Sequence, residues 1–277
     1  MRAILVAPKF DDATSYSYEW SREVKQLLQE RGYDVVDIGG KPLSRGEVEE
    51  ALKKNPNALF IFYNHGNMDC LWASNEEKAV DLKNVELFSN REVFTMACLS
   101  ASKLGVEAYR KNCKAYWGYR VVFAFTTDAI EEFNEFANCG IKFRLDGKEW
   151  SECLKLAKEL AEQLAKKLTK EGKCFSAVFM KENAEGLVCY DAHPPEPRCP
   201  LRKLAVKLFG EKIGWRLSRR HAVSFFLFGF GLGIVIHDFF VECADPLRLP
   251  PHGFWYGVMF ILVAFVMFIL NANTFKE

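Results

Sequence analysis

Residues 1–192 show two alternating patterns of apolar and polar positions. Short, nearly continuous apolar runs such as 58–64 (ALFIFYN) predict strands that are covered on both faces. Apolar residues spaced three and four apart predict helices with one buried face. The predicted strands are 2–8, 33–38, 58–64, 92–97, 115–119 and 186–191, with 72–81 as a candidate edge strand. The predicted helices are 18–31, 44–55, 101–112, 130–145 and 150–171, and 82–89 is a loop or a short helix.

The regular alternation of strands and helices predicts an α/β fold with a mostly parallel, doubly wound sheet flanked by helices. Local signals agree with it at two helix ends. Ser44 and Glu47 form a capping-box pattern at the start of helix 44–55, and Gly32 follows the end of helix 18–31. The predicted α/β domain covers residues 1–192.

The pattern changes at residues 222–270. Two long apolar runs, 222–241 and 253–270, flank the polar, proline-rich stretch 242–252. Each run is long enough to cross a hydrocarbon core of roughly 30 Å. Buried core helices would also be apolar, but they usually keep a polar face, which these runs lack. We therefore expect a hairpin of two transmembrane helices that binds the lipid bilayer, preceded by a basic linker at 193–221 and followed by a short tail at 271–277.

The basic residues around these runs predict how the hairpin is oriented. Arg216, Arg219 and Arg220 precede the first run and Lys276 follows the second, whereas the loop between carries only Arg248. The positive-inside rule then places the N-terminal domain and the C-terminus in the cytoplasm. The expected location is a membrane, with two spans.

Three further residues or segments near the hairpin have open interpretations. Segment 201–217 (LRKLAVKLFGEKIGWRL) lies along the membrane surface or is a polar-faced connector. His237 and Asp238, near the end of the first run, mark the membrane interface or act as functional intramembrane groups.

Charge and cysteine usage exclude some classes of function. The net charge is +1, so no basic surface predicts a nucleic-acid partner. The nine cysteines are scattered, without CxxC or Cys/His zinc spacing, so neither a disulfide framework nor a structural zinc site is expected. Free thiols suit a reducing compartment. The first apolar run is too short for a signal peptide and predicts a buried strand.

Candidate chemistry lies at two strand ends. His65 and Gly66 follow strand 58–64, and Cys98 follows strand 92–97. If these strands are neighbours, an imidazole and a thiol face one crevice, because sites in open α/β sheets form outside the carboxyl ends of strands. The nearby start of helix 101–112 is expected to lower the pKa of Cys98. His65 would protonate a leaving amine, and the N–H groups of Gly66 and Cys98 would form an oxyanion hole. Single histidines and cysteines are most often structural, so the shared position carries this interpretation.

The blocks ALFIFYNHG and EVFTMACLSASKLG, each an apolar strand ending in His-Gly or Ala-Cys, resemble the caspase-like clan of cysteine peptidases. That clan includes caspases, gingipains, legumain, separase and the CHAT domains. LGVEAYRKNCKAYWGY and the helical block IKFRLDGKEWSECLKLAKELAEQL are similar to the gingipain/CHAT branch, so the resemblance spans roughly residues 1–192. The caspase pentapeptide around the cysteine is absent, and the His-to-Cys separation is shorter than the caspase spacing of about 50. These departures argue against a true caspase with aspartate specificity.

The resemblance implies a thiol endopeptidase with His65 and Cys98 as its catalytic dyad and Gly66 as an oxyanion contributor. It implies a protein or peptide substrate and no metal or organic cofactor, and it permits a homodimer. Asp69 is a candidate for orienting His65, although an aspartate in a loop is more often a turn former. For the residue before the cleaved bond, Arg120 would favour an acidic side chain, whereas the acids after strand 115–119 would favour a basic one. Those acids are Asp128, Glu131 and Glu132.

Three functions fit the sequence. The first is a membrane-anchored, caspase-like cysteine endopeptidase that acts at the cytosolic membrane face. The second is a catalytically inactive caspase-fold module for signalling or interaction, tethered to the membrane. The third, a flavodoxin-like nucleotide or flavin binder, is disfavoured, because Pro8, Lys9 and Phe10 stand where a glycine-rich phosphate loop would follow the first strand.

Overall fold

The computed structural model describes residues 1–191, which belong to the first of two compact units of the chain, Met1–Pro195. The linker, hairpin and tail predicted at 193–221, 222–270 and 271–277, with His237 and Asp238, lie outside the described residues. Of the helices within residues 1–191, none combines the length and the apolar character needed to cross a bilayer.

The described residues form nine strands and six α-helices. The strands are β1 (Arg2–Ala7), β2 (Asp34–Gly39), β3 (Leu59–Tyr63), β4 (Gly66–Asn67), β5 (Cys70–Trp72), β6 (Lys78–Asp81), β7 (Glu92–Met96), β8 (Ala115–Tyr119) and β9 (Leu187–Tyr190). The helices are α1 (Asp12–Glu30), α2 (Arg45–Lys54), α3 (Leu104–Arg110), α4 (Ile130–Leu145), α5 (Trp150–Lys170) and α6 (Cys174–Gly186). Two short 3₁₀ helices are Val85–Phe88 and Thr127–Ala129.

The main sheet has six strands in the order β2-β1-β3-β7-β8-β9. All neighbours pair in parallel except β8 and β9, which are antiparallel. Helices cover both faces, so the prediction of a mostly parallel α/β sheet flanked by helices is confirmed. The central position of β3 explains its continuous apolar run, since all five of its residues are buried.

Alternate residues of the central strands feed two separate hydrophobic cores. Leu5, Ile61 and Tyr63 pack on one face, in the core that also contains α1, α4, α5 and α6 residues. Ile4 and Phe60 point to the other face, in the core that contains α2 and α3 residues. This division follows from the two-residue period of a strand, whose successive side chains lie on opposite faces.

Two helix starts differ from their predicted positions. Helix α1 begins at Asp12 and not at residue 18, because Asp11 and Thr14 form a reciprocal capping box ahead of the periodic apolar residues. Helix α3 begins at Leu104 and not at residue 101, because the Ala101 N–H donates to the Tyr119 carbonyl and so continues the contact with β8. The predicted Ser44–Glu47 capping box at the start of α2 is confirmed.

Two parts of the fold were not predicted from the sequence. Stretch 72–81 was expected to add an edge strand to the main sheet, but β5 and β6 instead pair with β4 in a separate antiparallel sheet. Helix α6 was missed, because CFSAVFMKENAEG shows only weak separation of apolar and polar faces. It leads directly into β9.

Candidate functional site

The two candidate catalytic residues follow neighbouring strands. β3 and β7 pair in parallel, with Phe60 opposite Val93 and Tyr63 opposite Met96. The pairing continues past β3, since the Asn64 N–H donates to the Met96 carbonyl at 3.3 Å. His65 and Cys98 therefore leave the sheet side by side at its carboxyl edge, where sites of open α/β sheets form.

Gly66 touches the backbone next to the thiol. A Cβ atom at this position would lie 2.8 Å from the Cys98 carbonyl oxygen and 2.9 Å from the Ala97 Cβ atom, closer than real Cβ contacts. Only glycine permits this approach. The Trp72 N–H donates to the His65 carbonyl, so these two residues form a hydrogen-bonded pair of the antiparallel ladder. Such pairs alternate with pairs that are not hydrogen-bonded, and the next pair is Gly66 with Leu71. The Gly66 N–H therefore points away from β5. The structure thus brings His65, Gly66 and Cys98 together.

The imidazole of His65 is held by Asp11. Its Nε2 atom lies 2.8 Å from Oδ2 of Asp11, and the Phe10 ring lies 5.8 Å from the imidazole ring between centroids. Asp11 is also the N-cap of α1, where Oδ1 accepts the Thr14 N–H at 2.7 Å. Partial burial opposes ionisation of Asp11, but the hydrogen bonds from Thr14 and His65 outweigh it and lower its pKa. An ionised Asp11 accepts a hydrogen bond from Nε2–H of a neutral His65, which leaves Nδ1 unprotonated.

Asp69, the orienting acid considered from the sequence, contacts a different residue. Its Oδ2 atom lies 3.9 Å from Nζ of Lys78, and it stands in the turn between β4 and β5. The carboxylate that orients His65 comes instead from the loop between β1 and α1. The signal for Asp11 is a helix N-cap in the short loop after β1, but it points to His65 only once β1 is known to border β3.

The thiol of Cys98 is half-buried under the segment that follows β8. Its Sγ atom lies 3.9 Å from the Phe123 carbonyl oxygen, to which it donates. Burial raises the pKa of Cys98, so the expectation of a lowered value is wrong. The physical reason is the position of α3. It begins only at Leu104, and the N–H groups of Lys103 and Leu104 both donate to the Met68 carbonyl at 2.9 Å. The N–H groups at the positive end of the helix therefore bond to the Met68 carbonyl and do not stabilise a thiolate at Cys98.

The turn after Cys98 is fixed by strained but well-bonded backbone. Leu99 has a φ angle of 57°, in the left-handed region that a leucine rarely adopts. Its N–H donates to the Val121 carbonyl at 2.9 Å. The hydroxyl groups of Thr95 and Ser100 lie 2.9 Å apart, below the turn. Surrounding bonds therefore hold a costly conformation that sets where Cys98 stands.

The side chains considered for selecting a charged substrate residue have other partners. Nε of Arg120 donates to the Tyr190 hydroxyl at 2.8 Å, and Glu132 is buried in an ion pair with Lys167. Asp128 accepts a hydrogen bond from Ser176 at 2.9 Å, and Glu131 is exposed on α4.

Two further features limit the chemistry of the site. Within residues 1–191, no group of histidine, cysteine or acidic side chains is placed to hold a metal ion. No hydrogen bond joins Cys98 to His65 in this described part of the chain, where Sγ contacts Phe123 and the imidazole contacts Asp11. Burial holds the pKa of the Cys98 thiol above its ordinary value, so the thiol is uncharged at neutral pH in this arrangement.

A raised pKa predicts slow alkylation of Cys98 at neutral pH. The unfolded chain loses the thiol proton near pH 9.0, whereas the folded chain keeps it to a higher pH. The neutral thiol therefore stabilises the folded state below pH 9.0, and this stabilisation is lost as the pH rises further. We expect the iodoacetamide alkylation rate of Cys98, followed by mass spectrometry, to reach half its maximum at higher pH in the folded chain than in urea. A lower midpoint in the folded chain would instead indicate an activated thiolate.

Comparison of the chain with protein-family models, curated proteins and solved structures gave no match. The chemistry of this site therefore rests on its own residues, Asp11, His65, Gly66 and Cys98.

Proposed function

We propose that the chain is a membrane-anchored, caspase-like cysteine endopeptidase that cleaves proteins at the cytosolic membrane face. The observation that carries this proposal is the parallel pairing of β3 and β7. It places an imidazole, a thiol and a close-approaching glycine at one edge of the sheet. The resemblance of the His-Gly and Ala-Cys blocks to the caspase-like clan independently assigns the same three residues.

Acyl transfer begins with attack of Cys98 on the scissile carbonyl carbon. Nδ1 of His65 takes the thiol proton as the sulfur–carbon bond forms, and the carbonyl π electrons move onto oxygen. The N–H groups of Gly66 and Cys98 donate to this oxyanion. His65 then gives the proton to the leaving amine as the C–N bond breaks. Water hydrolyses the remaining thioester, and the thiol returns.

Asp11 supports both proton transfers. Its carboxylate is ionised and accepts a hydrogen bond from Nε2–H of His65, so the tautomer with an unprotonated Nδ1 is favoured. The same charge stabilises the imidazolium that forms after Nδ1 takes the thiol proton. Asp11 thus completes a Cys98–His65–Asp11 triad.

The caspase-like assignment of the fold is supported by agreement between two kinds of observation. The resemblance covers roughly residues 1–192, and the sheet over this range is mostly parallel with helices on both faces. In such a sheet the order of the strands decides which loops meet. Here β1, β3 and β7 are neighbours in the sheet, so the loops that carry Asp11, His65 and Cys98 leave it side by side.

Anchoring in the membrane is supported by the sequence of residues 222–270. The two apolar runs and the arginines before them favour a two-span hairpin with the peptidase domain in the cytoplasm. The domain would then act on proteins close to the bilayer surface.

One observation favours a second function, that of an inactive caspase-fold module for signalling or interaction. Burial raises the pKa of Cys98, and its thiol donates to the Phe123 carbonyl rather than to His65. A site that never leaves this arrangement would bind partners without cleaving them.

Replacement of Cys98 separates the two functions. We expect Cys98→Ala to abolish cleavage of a positional-scanning peptide library, because the attacking sulfur is lost, while circular dichroism stays unchanged. Cys174→Ala, which removes an exposed cysteine at the start of α6, is the matched control and should retain full turnover. Equal turnover in wild type and Cys98→Ala would rule out the peptidase.

Replacement of Asp11 tests the triad. Asparagine caps helices as well as aspartate does, so Asp11→Asn should preserve α1. Without the carboxylate we expect kcat to fall by roughly 10²–10⁴-fold, with KM changed little, since the imidazolium and the correct tautomer are no longer favoured. Asp12→Asn, in the same first turn, should leave kcat unchanged. An unaltered kcat in Asp11→Asn would exclude Asp11 from the mechanism.

Truncation tests the anchor. A chain that ends at Ala192 lacks both apolar runs, and we expect it to move from the membrane pellet to the supernatant after ultracentrifugation. A truncated chain that still sediments with washed membranes would contradict the predicted hairpin.

A further inference from the structure

Helix α6 makes an unusual contact with the segment that covers Cys98, residues 121–126, which we call the covering segment. Asn183, which is fully buried, uses its side-chain amide to bond both backbone groups of one residue, Ala124. Its Oδ1 atom accepts the Ala124 N–H at 3.1 Å, and its Nδ2 atom donates to the Ala124 carbonyl at 2.7 Å. The side chain thus takes the place of a neighbouring strand for this residue.

The peptide bond before Ala124 connects Asn183 to the thiol. The Ala124 N–H and the Phe123 carbonyl belong to the same peptide group, which is planar and trans. Its N–H and C=O therefore point in opposite directions. Because the N–H is held by Asn183, the carbonyl is directed away from α6, and its oxygen lies 3.9 Å from Sγ of Cys98.

We propose that Asn183 is a positioning residue for Cys98, acting through the Phe123–Ala124 peptide group. Its catalytic consequence rests on the proposed peptidase function. Among residues 1–191, the other hydrogen bonds to this segment are at its ends: the Leu99 N–H donates to the Val121 carbonyl, and the hydroxyl groups of Ser176 and Thr126 lie 2.7 Å apart. Between these ends, Asn183 sets the direction of the Phe123 carbonyl, to which the thiol donates its hydrogen bond.

The first test compares two variants of the full-length chain. Asn183→Ala frees the Phe123 carbonyl to turn, so the thiol loses its acceptor and part of its cover. The matched control is Ser176→Ala, which removes a buried hydroxyl of the same helix from the same segment but leaves the peptide group at Ala124 bonded.

Two rates are measured on each variant. The first is alkylation of Cys98 by iodoacetamide, in which sulfur displaces iodide and the thiol proton goes to solvent, followed site by site by mass spectrometry. The second is peptide turnover. We expect Asn183→Ala to alkylate several-fold faster and to turn over peptide about tenfold or more slowly, since small misplacements at a reacting centre are costly. Ser176→Ala should stay near wild type in both rates.

Opposite changes in the two rates distinguish positioning from general loss of structure, which would move them together with the circular dichroism signal. Equal alkylation of Cys98 in wild type and Asn183→Ala, or equal effects of Asn183→Ala and Ser176→Ala, would overturn the proposal. Alkylation needs no catalysis, so the alkylation result tests the position of Cys98 even if the wild-type chain cleaves no peptide. An absence of cleavage would count against the proposed function alone.

A second variant covers the case in which Asn183→Ala does not fold. Asn183→Asp keeps an acceptor for the Ala124 N–H and loses the amide donor to the Ala124 carbonyl, so its Cys98 alkylation rate should exceed those of wild type and Ser176→Ala. A rate in Asn183→Asp that equals both the wild-type and the Ser176→Ala rates would also overturn the proposal.

Discussion

The candidate site depends on the parallel pairing of β3 with β7. In a parallel pair both strands end at the same edge of the sheet, so residues that follow them are neighbours without further support from the loops. The pairing of Tyr63 with Met96 sets His65 and Cys98 level with one another. A shift of one residue would exchange the two faces of β7 and carry its buried residues, Phe94 among them, out of their core. The two hydrophobic cores therefore fix the register of the site.

The state of the thiol results from two opposing effects. A helix N-terminus would stabilise the thiolate, whereas burial disfavours it. Burial dominates at Cys98, because the first N–H groups of α3 are already bonded to the carbonyl of Met68. A neutral, covered sulfur is protected from oxidation and alkylation, since both reactions require the thiolate. In the same site the imidazole of His65 is held by Asp11, which follows the neighbouring strand β1.

The central strands and the positions of His65, Gly66 and Cys98 were predictable because they depend on short apolar runs and on strand ends. Three other features were not predictable, for different physical reasons. Asp11 meets His65 only through the order of the strands, which periodicity does not specify. Burial raises the pKa of Cys98, and α3 does not offset it because the helix starts late: Ala101 bonds to β8 and Lys103 bonds to Met68. Helix α6 has little amphipathic character, and its role appears only in the contact of Asn183 with Ala124.

Helix α6 passes into β9 without a connecting loop, at Gly186 and Leu187. Gly186 has no room for a side chain, because a Cβ atom there would lie 2.2 Å from a methyl group of Val121, and its carbonyl accepts the N–H of Arg120 at 2.8 Å. Helix and strand are consequently joined without a flexible loop, and close packing against Val121 fixes the junction. Asn183 lies three residues before this junction, so a side chain added at Gly186 would displace the end of α6 from Val121 and disturb the residue that holds the Phe123–Ala124 peptide group.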